Sequence, residues 1–233
     1  MAPRDQFRTM ANRPAAARLG ALLVAAALLA GAPDAGFAGS QPIKLLAFGD
    51  SLVHGYGLPA GESFPRQLES ALKARGYPVE VINAGNSGDT TAAGRARLDW
   101  ALAEDPDLVL VEFGGNDGLR GIDPGETYRN LDQILARLAA EGLAVLFMGM
   151  RAPRNLGEDY VVEFDAVFPR LAEKYGVAFY PFFLEGVVFD PSLNQDDGIH
   201  PNAAGVAVLV ERIVPVLEPL LRGLAARRDA ADG

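Results

Sequence analysis

The chain has 233 residues, no cysteine and a formal charge of −9 at neutral pH. The absence of cysteine excludes a disulfide framework, a thiolate zinc site and a cysteine nucleophile. The acidic balance, without any basic run, argues against a nucleic-acid-binding surface.

The first stretch reads as an export signal. Arg4, Arg8, Arg13 and Arg18 precede an apolar run from Leu19 to Ala32, and Gly36-Phe37-Ala38 supplies small residues at the cleavage positions, which predicts cleavage after Ala38. About 14 apolar residues fall short of the ~20 needed to span a bilayer. No cysteine follows them to carry a lipid anchor, so no stable membrane insertion is expected after cleavage. Removing residues 1–38 takes away four arginines and two aspartates, which lowers the formal charge from −9 to −11. Residues 39–233 are then expected to form one domain around one core.

Within that domain, strand-like runs alternate with segments of helical period. The predicted strands are 43–48, 79–83, 108–113, 143–148 and 177–180; the predicted helices are 63–75, 91–103, 124–141, 160–175 and 203–222. The first, third and fourth strands are apolar almost throughout, as central parallel strands buried on both faces require. Leu131, Ile134, Leu135 and Leu138 recur at helical spacing and give their helix a core-facing stripe. Gly76, Gly142 and Gly176 stand where helices should stop, and the tail from Ala225 reads as a frayed end. The alternation predicts a three-layer α/β/α sandwich of flavodoxin-like type with about five parallel strands, whose ligands bind beyond the carboxyl ends of the strands.

The residues suited to chemistry fall on that rim. Ser51 follows the first strand, Asn116 the third, and Asp197 and His200 the fifth. A serine hydroxyl becomes nucleophilic when a neighbouring base takes its proton, and histidine suits that role. Asp197 and His200 are spaced i, i+3, so one turn of chain brings the carboxylate to one ring nitrogen and leaves the other for Ser51. His54, the other histidine, lies three residues after Ser51 but has no acid placed to orient it. Three donors could receive charge developing on a carbonyl oxygen: the Ser51 and Gly88 N–H groups and the Asn116 side-chain amide. Taken alone, Gly88 is equally a turn glycine and Asn116 equally a cap. Position 53 is valine, so the Gly-x-Ser-x-Gly elbow of α/β-hydrolases is absent.

Gly49-Asp50-Ser51-Leu52, Gly88, Gly114-Gly115-Asn116-Asp117 and Asp197-Gly198-Ile199-His200 together resemble, in order, the four sequence blocks of the SGNH or GDSL hydrolases. The strings 83–90, 111–121 and 195–202 are most similar to the bacterial periplasmic branch that includes thioesterase I, lysophospholipase and arylesterase. The resemblance implies a flavodoxin-like fold, Ser51 as nucleophile, His200 as base, Asp197 as its orienting acid, and Ser51, Gly88 and Asn116 as the oxyanion hole. Together with the leader, this gives an exported enzyme, periplasmic or secreted and expected to be a monomer, acting on a small-molecule or lipid acyl ester, with no metal and no cofactor.

Leu52, Leu119, Arg120, Arg151 and Leu156 are candidate substrate contacts; Phe182 and Phe183 also lie near the rim but read more as core. Two other functions remain open at this level. A carbohydrate deacetylase would use the same blocks, and a magnesium-dependent phosphoacceptor or binding module could use Asp50 and Asp117, leaving the Asp197/His200 spacing unexplained.

Overall fold

The computed structural model describes residues 41–232, so the expected export signal lies outside the described residues. Five strands form the sheet: β1 (Ile43–Gly49), β2 (Val79–Gly85), β3 (Leu108–Glu112), β4 (Ala144–Met148) and β5 (Ala178–Tyr180). All pair in parallel, in the order β2-β1-β3-β4-β5. This is the flavodoxin-like order, with its topological switch between β1 and β3. The three apolar runs are the three central strands, and β2 alternates buried and exposed side chains as an edge strand does.

Among the described residues, eight α-helices carry the chain between and beyond the strands: α1 (Ser51–His54), α2 (Phe64–Ala74), α3 (Thr91–Ala96), α4 (Leu98–Leu102), α5 (Gly115–Leu119), α6 (Pro124–Ala140), α7 (Glu158–Tyr175) and α8 (Ala203–Asp232). Helix α2 packs against α8, while α6 packs against α3 and α7, which gives the two outer layers. The predicted stripe on α6 is wholly buried, and truncating any one of its leucines to alanine would cost ~2–5 kcal/mol. Aromatic rings pack edge-on in the core: Phe48 meets Phe113 at 4.9 Å between centroids, and Phe64 of α2 meets Phe183 at 5.1 Å. No helix among the described residues is long and apolar enough to cross a membrane.

Two elements depart from the sequence reading. The helix expected over 91–103 is two helices, broken at Arg97, where φ is −109° and ψ 9°. There the chain turns the Arg97 side chain inward to donate to Asp89 Oδ2 at 2.6 Å and to the Ala84 and Gly49 carbonyls at 2.9 Å each. The helix expected to end at 222 runs on to Asp232 instead of fraying. Arg228 ties down this extension by donating to the Gln41 carbonyl and to Asp107 Oδ1, both at 2.7 Å.

Candidate active site

At the end of β1 the chain turns directly into α1. Asp50 caps that short helix by accepting the Leu52 N–H at 3.0 Å, and Ser51 is its first residue. Gly85 at the end of β2 lies so close to α1 that a Cβ there would stand 2.2 Å from the His54 nitrogen. The turn carrying Ser51 is therefore seated on the sheet backbone itself.

The loop after β5 brings the other two groups. Asp197 Oδ1 accepts the N–H groups of Ile199 and His200, each at 2.9 Å, and Asp197 Oδ2 lies 2.7 Å from His200 Nδ1. The second ring nitrogen, Nε2, lies 2.9 Å from Ser51 Oγ. This is a continuous hydroxyl–imidazole–carboxylate chain with Nδ1 facing the acid, the geometry that turns a serine into a nucleophile. Partial burial works to raise the Asp197 carboxyl, but the hydrogen bonds from His200 and Ile199 outweigh it and hold the group down at about 2. Asp197 thus stays ionised beside the imidazole.

Two residues not singled out in the sequence steady this arrangement. Gln195 donates to the Tyr56 carbonyl at 2.8 Å and to the Pro201 carbonyl at 3.0 Å, which joins the histidine loop to the segment after Ser51. The Tyr56 ring lies 4.7 Å from the His200 ring and covers one side of it. His54 is exposed and directs Nδ1 to the Gly85 carbonyl at 3.2 Å, outside the chain of proton-transfer groups.

Across from Ser51 stand the candidate oxyanion donors. Asn116, in the first turn of α5, directs its side-chain amide to the Asp89 carbonyl at 3.0 Å and to Asp50 Oδ2 at 3.1 Å. Gly88 occupies the tight turn closed by Asp89 N–H on the Asn86 carbonyl at 3.2 Å, with φ +88°. Among the described residues, no acceptor takes the backbone N–H of either Ser51 or Gly88. Ser51, Gly88 and Asn116 all line one cavity of about 580 Å³, inside the range of small-molecule sites.

Leu52, Leu119 and Arg151, expected as substrate contacts, also line that cavity; Arg120 and Leu156 do not. Arg120 instead donates to the Gly88 carbonyl at 2.9 Å and braces the turn from behind. Arg151 lies over the Phe182 ring at 4.8 Å, and Phe182 lines the cavity while Phe183 is core. Asp165, not foreseen, holds the wall segment by accepting the Ala152 N–H and pairing with Arg154, each at 2.8 Å.

The two aspartates of the metal reading are engaged separately. Asp117 is buried and accepts from the Thr91 N–H at 2.8 Å, from the Thr91 hydroxyl at 2.5 Å and from the Thr127 hydroxyl at 3.2 Å, which staples α3 to α5 and α6. Asp50 faces Leu52 and Asn116.

Fold and site together define a class: hydrolases that set a Ser-His-Asp chain at the switch point of a flavodoxin-like sheet, without the α/β-hydrolase elbow. Comparison with known proteins narrows the class. The chain belongs to the GDSL-like lipase/acylhydrolase family, whose profile matches residues 47–208. It is 43% identical over 178 residues to esterase TesA of Pseudomonas aeruginosa, covering 76% of this chain and 89% of that protein. It is 41% identical over 178 residues to the thioesterase 1/protease 1/lysophospholipase L1 of Escherichia coli, covering 76% and 84%. The crystal structure of AlinE4, an SGNH-hydrolase family esterase, superposes with a TM-score of 0.66 at 49% identity, covering 78% of this chain and 98% of that one. The protein is a carboxylic ester hydrolase of the SGNH/GDSL type.

Proposed function

We propose that the protein is an exported serine esterase that releases acyl groups from aryl esters, acyl thioesters and lysophospholipids through an acyl-serine intermediate. The observation that carries this reading is the 2.9 Å and 2.7 Å chain from Ser51 through His200 to Asp197 at the mouth of an apolar cavity. Ser51 Oγ attacks the acyl carbonyl while His200 Nε2 takes its proton; the carbonyl oxygen becomes an oxyanion facing the Ser51 and Gly88 N–H groups and the Asn116 amide. Collapse of the tetrahedral intermediate expels the alcohol or thiol, which receives the proton from His200. Water then repeats the sequence and frees the acid and Ser51.

Leu52, Leu119 and Phe182 suit an acyl chain, and Arg151 suits an anionic leaving group at the mouth. The thioesterase and lysophospholipase activities carried in the name of the Escherichia coli relative support the same substrate range. The arginine-bearing leader through Ala38 supports export to the periplasm, with the hydrolase domain spanning 39–233 and acting as a monomer.

The test is hydrolysis of p-nitrophenyl esters from acetate to palmitate and of palmitoyl-coenzyme A, with EDTA present, by the mature protein and its Ser51→Ala variant. Turnover by the first alone is expected. Equal rates would overturn the assignment of Ser51, and activity confined to acetyl esters would move the protein to the deacetylases.

A further inference from the structure

Behind the site lies a second pair of acids that the mechanism does not use. Glu112 is the last residue of β3 and is fully buried. It pairs in register with Gly49 of β1, where a Cβ would stand 2.7 Å from Glu112 Oε2. Glycine at 49 therefore makes the space in which this carboxyl sits, and no substrate reaches it there. Glu112 Oε2 accepts the Asp50 N–H at 3.4 Å, which sets the two buried acids side by side, and Glu112 Oε1 has no hydrogen-bond partner.

Among the described residues no lysine or arginine pairs with either acid. Two neighbouring carboxyl groups buried without a cation do not both ionise, so one proton stays in the pair. Asp50 already accepts two N–H groups, from Leu52 and Asn116, and both favour its charged form; Glu112 accepts only the long bond from Asp50 N–H. The proton therefore belongs to Glu112. Burial first, and then the charge of Asp50, push the Glu112 carboxyl well above the usual range, in the same direction.

We propose that Glu112 is a positioning residue for the oxyanion hole: its carboxylic acid donates a hydrogen bond to Asp50, and through Asp50 it fixes both the Asn116 amide and the turn that carries Ser51. An amide whose nitrogen is bonded to an anchored carboxylate is held in one of its two flip states, and the N–H that it directs to the Asp89 carbonyl is the one that turns to the oxyanion. The proton also limits the pair to one negative charge, where a second would oppose the oxyanion forming on the other side of Asn116.

The proposal rests on the serine-esterase reading, and Glu112→Gln, Glu112→Leu and Glu112→Met test it on p-nitrophenyl butyrate beside Ser51→Ala. Glutamine still donates to Asp50, so E112Q is expected to keep kcat within about threefold. E112L and E112M are expected to lose about 30-fold or more in kcat with KM little changed, approaching the ~10²-fold penalty of a lost oxyanion donor. Folding of each variant is read from thermal unfolding. Apolar variants that fold and keep kcat, an E112Q as impaired as they are, or failure of both apolar variants to fold would overturn the proposal, the last assigning Glu112 to stability alone. If wild-type turnover does not depend on Ser51, the esterase reading fails first, and that result is visible in the Ser51→Ala arm.

Discussion

Replacing Gly85 by alanine puts a methyl group into the contact between β2 and α1. The new Cβ would stand 2.2 Å from His54 N, 2.6 Å from His54 Cα and 2.8 Å from Val53 C, all backbone atoms that no rotamer change can move. Ordinary contact begins at 3.4 Å, so helix α1 must retreat by about 1.2 Å. The bond from Ser51 Oγ to His200 Nε2 is 2.9 Å, and a displacement of that size along it breaks it. Misplacement of reacting groups by ~1 Å costs ~10²-fold in rate, and overpacking costs ~1–3 kcal/mol in stability. Gly85→Ala is therefore expected to lower kcat/KM for p-nitrophenyl butyrate by about 100-fold while the protein still folds. Gly61→Ala, at a position with no atom within 4 Å, is the matched control and should keep full activity. A folded Gly85→Ala protein with kcat/KM within about twofold of wild type would refute the argument that β2 holds the nucleophile in place.

Asn116→Ala is expected to lower kcat by ~10²–10³ with little change in KM, and a loss confined to KM would remove Asn116 from the oxyanion hole. Arg97→Met takes the cation from the Asp89 carboxylate, which keeps only the Asn86 amide, and one donor each from the Gly49 and Ala84 carbonyls, so it should cost about 3 kcal/mol; an unchanged melting temperature would show the buttress to be idle. Glu112 keeps its proton in the fold and loses it on unfolding, so the native state binds more protons and stability falls as pH rises above about 4.3. Glu112→Gln removes that dependence, and urea unfolding should show the variant gaining on wild type by up to about 1.4 kcal/mol per pH unit; parallel curves would contradict it.

The central strands were legible in the sequence because burial on both faces leaves Leu108 to Val111 and Ala144 to Met148 no polar positions. The order of the four motifs placed Ser51, Asn116 and the Asp197/His200 turn on one rim, since successive parallel strands all end on the same side. What stayed hidden depends on contacts between distant segments. The break at Arg97 comes from acceptors on Asp89, Ala84 and Gly49, which no local helical pattern records. Arg120 looked like a substrate contact because it lies near the rim, yet it donates to the Gly88 carbonyl on another loop. Glu112 was read as one position of an apolar strand, although a lone acid inside such a run was itself the signal. Its partner across the register, a glycine that leaves room for a carboxyl, becomes visible only once β1 and β3 lie side by side.

The grip of Arg228 on the Gln41 carbonyl at 2.7 Å sets the two extremities of the folded body side by side. Ser51 stands at the far end of the strand that begins at Ile43, a strand's length from that junction. A bead, a fusion partner or a surface joined to either extremity would hold the enzyme by its base with the mouth facing outward, and a short bridge between the extremities would permit new termini to be opened in an exposed loop elsewhere.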